Sequence, residues 1–347
     1  MWYACILLLT NSTPINSTME KISTPLTEML GIKYPIIMAP MFLVSTAEML
    51  IAAAESGITG AVPALNYRTD KDFRAAIHQI RKGTKGPFGV NLIANKSNVR
   101  MMEQLNTCVE LRVDYIITSL GSPRKIIEKC KPVGIKVFCD VVDIKYAKIV
   151  EELGADAVIA VNKEAGGHAG PTPANELIPS LVEACTIPVI SAGGVGNGNQ
   201  MKNKIDLGAV GISMGSPFIA TNEGGVNNAY KQACVDYGAK DIVMTTKLSG
   251  TPCTVINTPY MQEIGTKQNW LESLLNKNKT LKKFAKMLTF YKGMKMLEKS
   301  AFGATYKSVW CAGPSIEYVK SIRSVKEVVD SLIEEYHLES EKVEVKS

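Results

Sequence analysis

Pro188-Val189-Ile190-Ser191-Ala192-Gly193-Gly194-Val195-Gly196-Asn197-Gly198 reads as a short apolar strand that breaks into a glycine-rich turn before a helical segment. A strand with apolar residues on both faces is expected where both faces are covered, as in a parallel sheet with helices packed around it. The same unit recurs along the chain. Candidate strands are Pro35–Ala39, Gly60–Ala64, Phe88–Ile93, Tyr115–Ser119, Lys136–Val141, Ala157–Val161, Pro188–Ala192 and Val210–Met214, with starts 21 to 31 residues apart. That spacing is one strand plus one helix. Thr46–Ser56 carries Met49, Leu50 and Ala53 at helical spacing and ends at Gly57, while Ile144–Leu153 ends at Gly154. Glycine in those places supplies a left-handed helix cap. Eight such units predict a closed (β/α)8 TIM barrel, since open sheets of this class usually have fewer strands.

Outside the barrel pattern three regions are expected. Residues 1–21 read as a disordered N-terminal extension, with Met19 as a candidate true start. The apolar run Trp2–Leu9 is far below the roughly 20 residues of a membrane helix and lacks a basic leader. Residues 22–221 form the barrel, 222–320 an inserted helical cap over its mouth, and 321–347 a C-terminal helix and tail. Within the cap, Leu281, Phe284, Ala285 and Leu288 recur at helical spacing on a lysine-rich helix over Lys277–Lys299.

Composition narrows the function classes. The 347 residues are 46% hydrophobic and 21% charged, with net charge +6, which is ordinary for a globular protein. The basic residues are dispersed, so no nucleic-acid partner is expected, and no membrane partner either. Eight cysteines form no C-x-x-C pair and only three histidines accompany them, so no metal site is expected. Cysteines set in apolar runs, Cys139 among them, fit a reduced, cytoplasmic protein.

In a parallel barrel the reactive groups stand in the loops after the strands, and phosphate is often held after strands seven and eight. Those two loops are Ala192-Gly193-Gly194 and Met214-Gly215-Ser216-Pro217-Phe218. Glycine lets backbone N–H groups come close to an anion, and Ser216 adds a hydroxyl. The loop after strand six, Glu164-Ala165-Gly166-Gly167-His168-Ala169-Gly170, sets a histidine among glycines, which leaves room for a flat ligand beneath an imidazole. His168 is the candidate catalytic residue. His78 and His337 fall on helices and read as surface residues. Ala39-Pro40-Met41 ends strand one, and Asn91 in Gly89-Val90-Asn91 ends strand three with an amide able to donate and accept.

Taken in this order, these motifs resemble the nitronate monooxygenases, over roughly residues 22–335. The resemblance implies FMN without a metal. It places Ala39, Pro40, Met41 and Asn91 near the ring, Gly166 and Gly167 along it, and Gly193, Gly194, Gly215 and Ser216 at the phosphate, with Ala192 and Met214 among the cofactor-binding residues. It implies that His168 acts on a nitroalkane carbon or orients a bound nitronate, with O2 as acceptor. Val161 and Ala312-Gly313-Pro314 stand where relatives often carry glutamine and Gly-Gln, differences that fall on the substrate pocket. The same superfamily includes NAD(P)H-dependent enoyl-acyl-carrier-protein and quinone reductases, and a basic cap helix near Lys282 and Lys286 suits an acidic carrier. A non-catalytic flavin-binding or phosphate-binding barrel is the alternative of another class. Oligomeric state is not legible.

Overall fold

The computed structural model describes residues 20–96, 98–247, 252–267, 295, 296, 298 and 309–344. The expectations for residues 1–19 and for the amphipathic helix around Leu281–Leu288 lie outside the described residues.

Eight parallel strands close into a barrel in chain order: β1 (Ile36–Met38), β2 (Thr59–Pro63), β3 (Phe88–Ile93), β4 (Tyr115–Ser119), β5 (Lys136–Val141), β6 (Ala157–Val161), β7 (Val189–Ala192) and β8 (Ile212–Met214). β8 closes on β1 through Ile36↔Ile212 and Met38↔Met214. Four strands match the sequence ranges residue for residue, and the others differ by one or two residues at their ends. Ala64 opens a 3-10 turn, so β2 stops at Pro63.

Between the strands run α2 (Ala47–Glu55), α3 (Asp70–Gly83), α4 (Met101–Glu110), α5 (Arg124–Cys130), α6 (Ile144–Glu152), α7 (Ala174–Ala184) and α8 (Gly198–Asp206). Their starts are set by local chemistry. Thr46 Oγ1 accepts from Met49 N at 3.1 Å and Asp143 Oδ1 accepts from Tyr146 N at 2.8 Å, each satisfying an N–H that the helix leaves open. Gly57 and Gly154 follow with φ of +80° and +94°, the left-handed turn expected of them.

Inside the barrel, strand periodicity stacks every second residue inward. Ile37, Ala61, Tyr115, Ile117, Phe138, Ile159 and Ile190 fill the lumen. The Tyr115 and Phe138 rings stack at 5.2 Å, and Tyr115 Oη shares a hydrogen bond with Thr59 Oγ1 at 3.1 Å. Gly89 faces that tyrosine: a Cβ there would lie 2.2 Å from the ring, so β3 gives up a side chain to admit it. A short helix, α1 (Pro25–Leu30), covers the N-terminal end with Leu26 and Leu30.

Beyond β8 come α9 (Ser216–Ile219) and α10 (Asn228–Asp236), then an antiparallel pair, β9 (Ile242–Thr245) and β10 (Cys253–Ile256), and α11 (Pro259–Ile264). The region expected to be helical therefore carries a hairpin. Its alternation of Cys253-Thr254-Val255-Ile256 is too short to separate strand from helix by period, and Val255 buries against Met261 and Val309 in a small core of its own. The chain then returns as α12 (Val325–Glu344), which packs on α8 and α2 and completes the ring of helices. Its approach is close: Gly198 N donates to Glu335 Oε2 at 2.8 Å, and a Cβ on Gly198 would meet Tyr336 N at 2.2 Å.

Candidate active site

At the C-terminal mouth the inward stacks change character. The inward residue after Gly89 is Asn91, after Ile117 it is Ser119, and after Phe138 it is Asp140. Above this polar layer opens a cavity of about 890 Å3, within the range of ligand sites, roughly 300–1,000 Å3. All of the candidate residues read from sequence line it: Ala39, Pro40, Met41, Asn91, Gly166, Gly167, His168, Ala192, Gly193, Gly194, Met214, Gly215 and Ser216.

The β6 loop is stitched down by Asn162. Its Nδ2 donates to Gly193 O at 3.1 Å and its Oδ1 accepts from Glu164 N at 2.8 Å, which ties the loop after β6 to the loop after β7. From above, Thr254 on β10 holds the same loop: Gly167 N donates to Thr254 Oγ1 at 2.9 Å and Thr254 N to Gly167 O at 2.8 Å. His168, the next residue, presents its side chain to the cavity. Its ring is accessible from within, yet the protein around it lowers its pKa below the ordinary value through desolvation, so the neutral imidazole dominates at pH 7. His78 is exposed on α3, and His337 is half-buried on α12 with its ring edge-on to Tyr336.

The β7 loop turns through two consecutive left-handed residues, Gly193 (φ +111°) and Gly194 (φ +74°). Successive backbone N–H groups in such a turn form an anion-binding concavity. The loop cannot hold larger residues: a Cβ on Gly193 would lie 2.5 Å from Ala165 N, and one on Gly194 1.8 Å from Glu164 Oε2. Glu164 is paired with Lys204 of α8 at 3.4 Å, which offsets its charge beside the turn. Gly167 differs, since a Cβ there would have open space on all sides. The main chain is thus bare where a flat ring would lie. These features fit a flavin phosphate at one end and its ring system at the other.

Ser216 keeps the donor expected of it and has a second task. Its Oγ accepts from Gly313 N at 2.8 Å, so the 312–315 segment is pinned to the β8 loop, and only its own hydroxyl proton remains to be given to a ligand. Asn91 is likewise half committed: Nδ2 donates to Ser119 Oγ at 2.8 Å and to Ile117 O at 3.2 Å. The Ile117 carbonyl cannot donate, which fixes the amide orientation and leaves Oδ1 as the cavity-facing acceptor.

Sequence reasoning missed Ser119, Asp140, Asn162 and Thr254. Ser119 and Asp140 stand near the C-terminal ends of barrel strands, a signal that pointed to them. Asn162 opens the histidine loop and was readable in the same way. Thr254 comes from the hairpin and had no such signal.

A family model for nitronate monooxygenase matches residues 23–107 and 97–335. The chain belongs to this family. A Mycobacterium tuberculosis protein named as a 5-hydroxy-7a-methyl-1-oxo-octahydro-1H-indene-4-carboxyl-CoA dehydrogenase is 32% identical over 247 residues, covering 70% of this chain and 69% of that one. A probable nitronate monooxygenase of Staphylococcus haemolyticus is 30% identical over 282 residues, 68% of this chain and 79% of that one. Among solved structures, FabK from Thermotoga maritima superposes with a TM-score of 0.83 at 28% identity, covering 94% of this chain and all of that one. Family membership makes the chain a flavin-type oxidoreductase, and the shared barrel agrees with the closed eight-stranded topology described above. Among the described residues, no helix is long and apolar enough to cross a membrane.

Proposed function

We propose that the chain holds FMN across the mouth of its barrel and oxidises alkyl nitronates, with O2 as the final acceptor, to a carbonyl compound and nitrite. The observation that carries this reading is the shared cavity, which a left-handed glycine pair, a desolvated histidine and the bare main chain at Gly167 all line. Gly193, Gly194, Gly215 and Ser216 would hold the phosphate, with Ala192 and Met214 leading into those turns. Ala39, Pro40, Met41 and Asn91 would meet the ring edge, where the free Oδ1 of Asn91 suits an N–H of the ring. Gly166 and Gly167 would lie along its face.

A bound flavin supplies the electron-accepting chemistry, and the protein supplies position and electrostatics. Neutral His168 can accept a proton from a nitroalkane α-carbon, or turn an N–H toward a nitronate oxygen. Lys145, at the start of α6, also lines the cavity and adds the positive charge that an anion favours.

A second reading has an observation of its own. The outer wall beyond His168 is apolar, with Leu120, Val142, Tyr146 and Ile149, a lane suited to an acyl chain. Reduction of a conjugated acyl thioester by NAD(P)H would use it, in keeping with the carboxyl-CoA named for the mycobacterial relative. Mixing the flavin-loaded protein with NAD(P)H under nitrogen separates the two. Nitronate oxidation predicts slow or no bleaching with NAD(P)H and turnover of propionate-3-nitronate or nitroethane in air. Rapid bleaching with no nitronate turnover overturns it.

A further inference from the structure

Asp140 is the one carboxyl on the inward face of the barrel strands at the level of the cavity floor. It stands above Phe138 on β5, two residues along the same inward face, so the stack passes from an aromatic ring to an ionisable group. Its Oδ2 accepts the hydroxyl of Ser119, and Ser119 Oγ in turn accepts from Asn91 Nδ2 at 2.8 Å. The direction of that chain is fixed at the Asn91 end by the Ile117 carbonyl. Among the described residues no cation pairs with Asp140, and the Ser119 hydroxyl is the one group that favours its charged form. A carboxyl in such surroundings costs more to ionise than one in water.

We propose that Asp140 is a specificity-determining residue of this cavity, whose carboxyl admits an anionic ligand only while it carries a proton, so that each bound anion enters with one proton from solvent. This deepens the proposed function and rests on its reading of the cavity as the substrate site. The linkage follows from charge. Enclosure pushes the Asp140 carboxyl up to about 6, with desolvation the cause and the Ser119 hydroxyl opposing it. Above that pH an anion meets a like charge, and binding must first protonate the carboxyl. The other titratable groups facing the cavity do not replace it. Glu164 is paired with Lys204, Asp143 caps the first turn of α6, Lys145 stands at the start of that helix, Tyr146 and Tyr230 are held protonated by desolvation, Cys253 and Cys311 hydrogen-bond to each other, and His168 is removed in the test below. Neutral substrates feel none of this, so Asp140 discriminates nitronate from nitroalkane by pH.

The test uses nitrate, a planar anion with no pKa in range, and acetamide as a neutral probe. Both are titrated calorimetrically into His168→Ala protein from pH 5 to 8, in buffers of different ionisation enthalpy, so that the imidazole contributes nothing. Flavin absorbance is read on the same sample first, and a colourless protein fails the FMN reading whatever the nitrate result. The expected result is a nitrate affinity that falls about tenfold per pH unit above about pH 6, with close to one proton taken up per nitrate, while acetamide shows no slope. Asp140→Asn on that background, isosteric and with circular dichroism confirming its fold, removes both slope and proton uptake. Ser119→Ala takes away the hydroxyl that favours the carboxylate, so the slope begins at higher pH. A slope that survives Asp140→Asn, a Ser119→Ala profile unmoved, or nitrate that does not bind at any pH overturns the proposal.

Discussion

The lower and upper halves of the barrel are built from the same strands and do opposite things. Below, Tyr115, Phe138 and Ile190 interlock in an apolar lumen closed by Leu26, and Gly89 leaves space there for the Tyr115 ring. Above, two residues further along the same inward faces, Asn91, Ser119 and Asp140 form a polar layer, and glycines let the loops after β6 and β7 pack closely against one another around a cavity. The lower half is specified by volume and the upper by vacancy and hydrogen-bond direction. Substitutions in the two halves should therefore separate stability from activity.

The sharpest test of that division is His168→Ala. Its side chain lines the cavity, so kcat/KM should fall by about 10²–10⁴-fold. The melting temperature should move by no more than a degree or two, roughly the effect of a surface change. Steady-state kinetics beside calorimetry would show both, and a large loss of stability would breach the division from above. From below, Phe138→Ala should cost about 3–5 kcal/mol in denaturant unfolding, the range for removing a buried ring. At denaturant concentrations where it is still folded, the variant should bind flavin with near-unchanged affinity. Gly194→Ala sits between the halves in effect. It forces a side chain into the left-handed region at a cost of about 1–2 kcal/mol and displaces Glu164 from Lys204. Flavin dissociation, followed by fluorescence, should strengthen roughly tenfold toward the free form.

Asp140→Asn should give the smallest effect, and its sign depends on pH. The folded carboxyl titrates at about 6 against an ordinary 3.8, so its contribution to stability is complete below about pH 4 and is lost as pH rises through 6. Asparagine never ionises. The variant should match the parent at pH 4 and exceed it by about 1–2 kcal/mol at pH 8, allowing for water that reaches the group through the cavity. Thermal unfolding at both pH values decides it, and a variant less stable at pH 8 would mean that the carboxylate has a partner.

Much of this was legible beforehand because barrel strands and their helices are local. Phe88–Ile93 and Ala157–Val161 are bounded by their own apolar runs, and Thr46 and Asp143 announce their helices within three residues. The glycine turn after β7 was legible for the same reason, since two glycines at a strand end need no distant partner to be recognised. What was not legible depends on contacts far apart in sequence. The β9–β10 hairpin is stabilised by Val309 and Met261, and Thr254 reaches the histidine loop from 87 residues away. Asp140 follows an apolar stack and looks like an ordinary strand end until Ser119 and Asn91 are seen beside it. Ser216 lines the cavity, but its acceptance of the Gly313 N–H spans 97 residues.

The central claim is that the glycine pair after β7 and the turn after β8 hold the phosphate of one FMN beside His168. Protein purified without added cofactor, or after incubation with FMN, should show the flavin absorption bands, release FMN on heating in a one-to-one ratio, and lose that capacity in Gly193→Val. Protein that stays colourless and leaves FMN free in solution at saturating concentration, while folded by circular dichroism, contradicts the account.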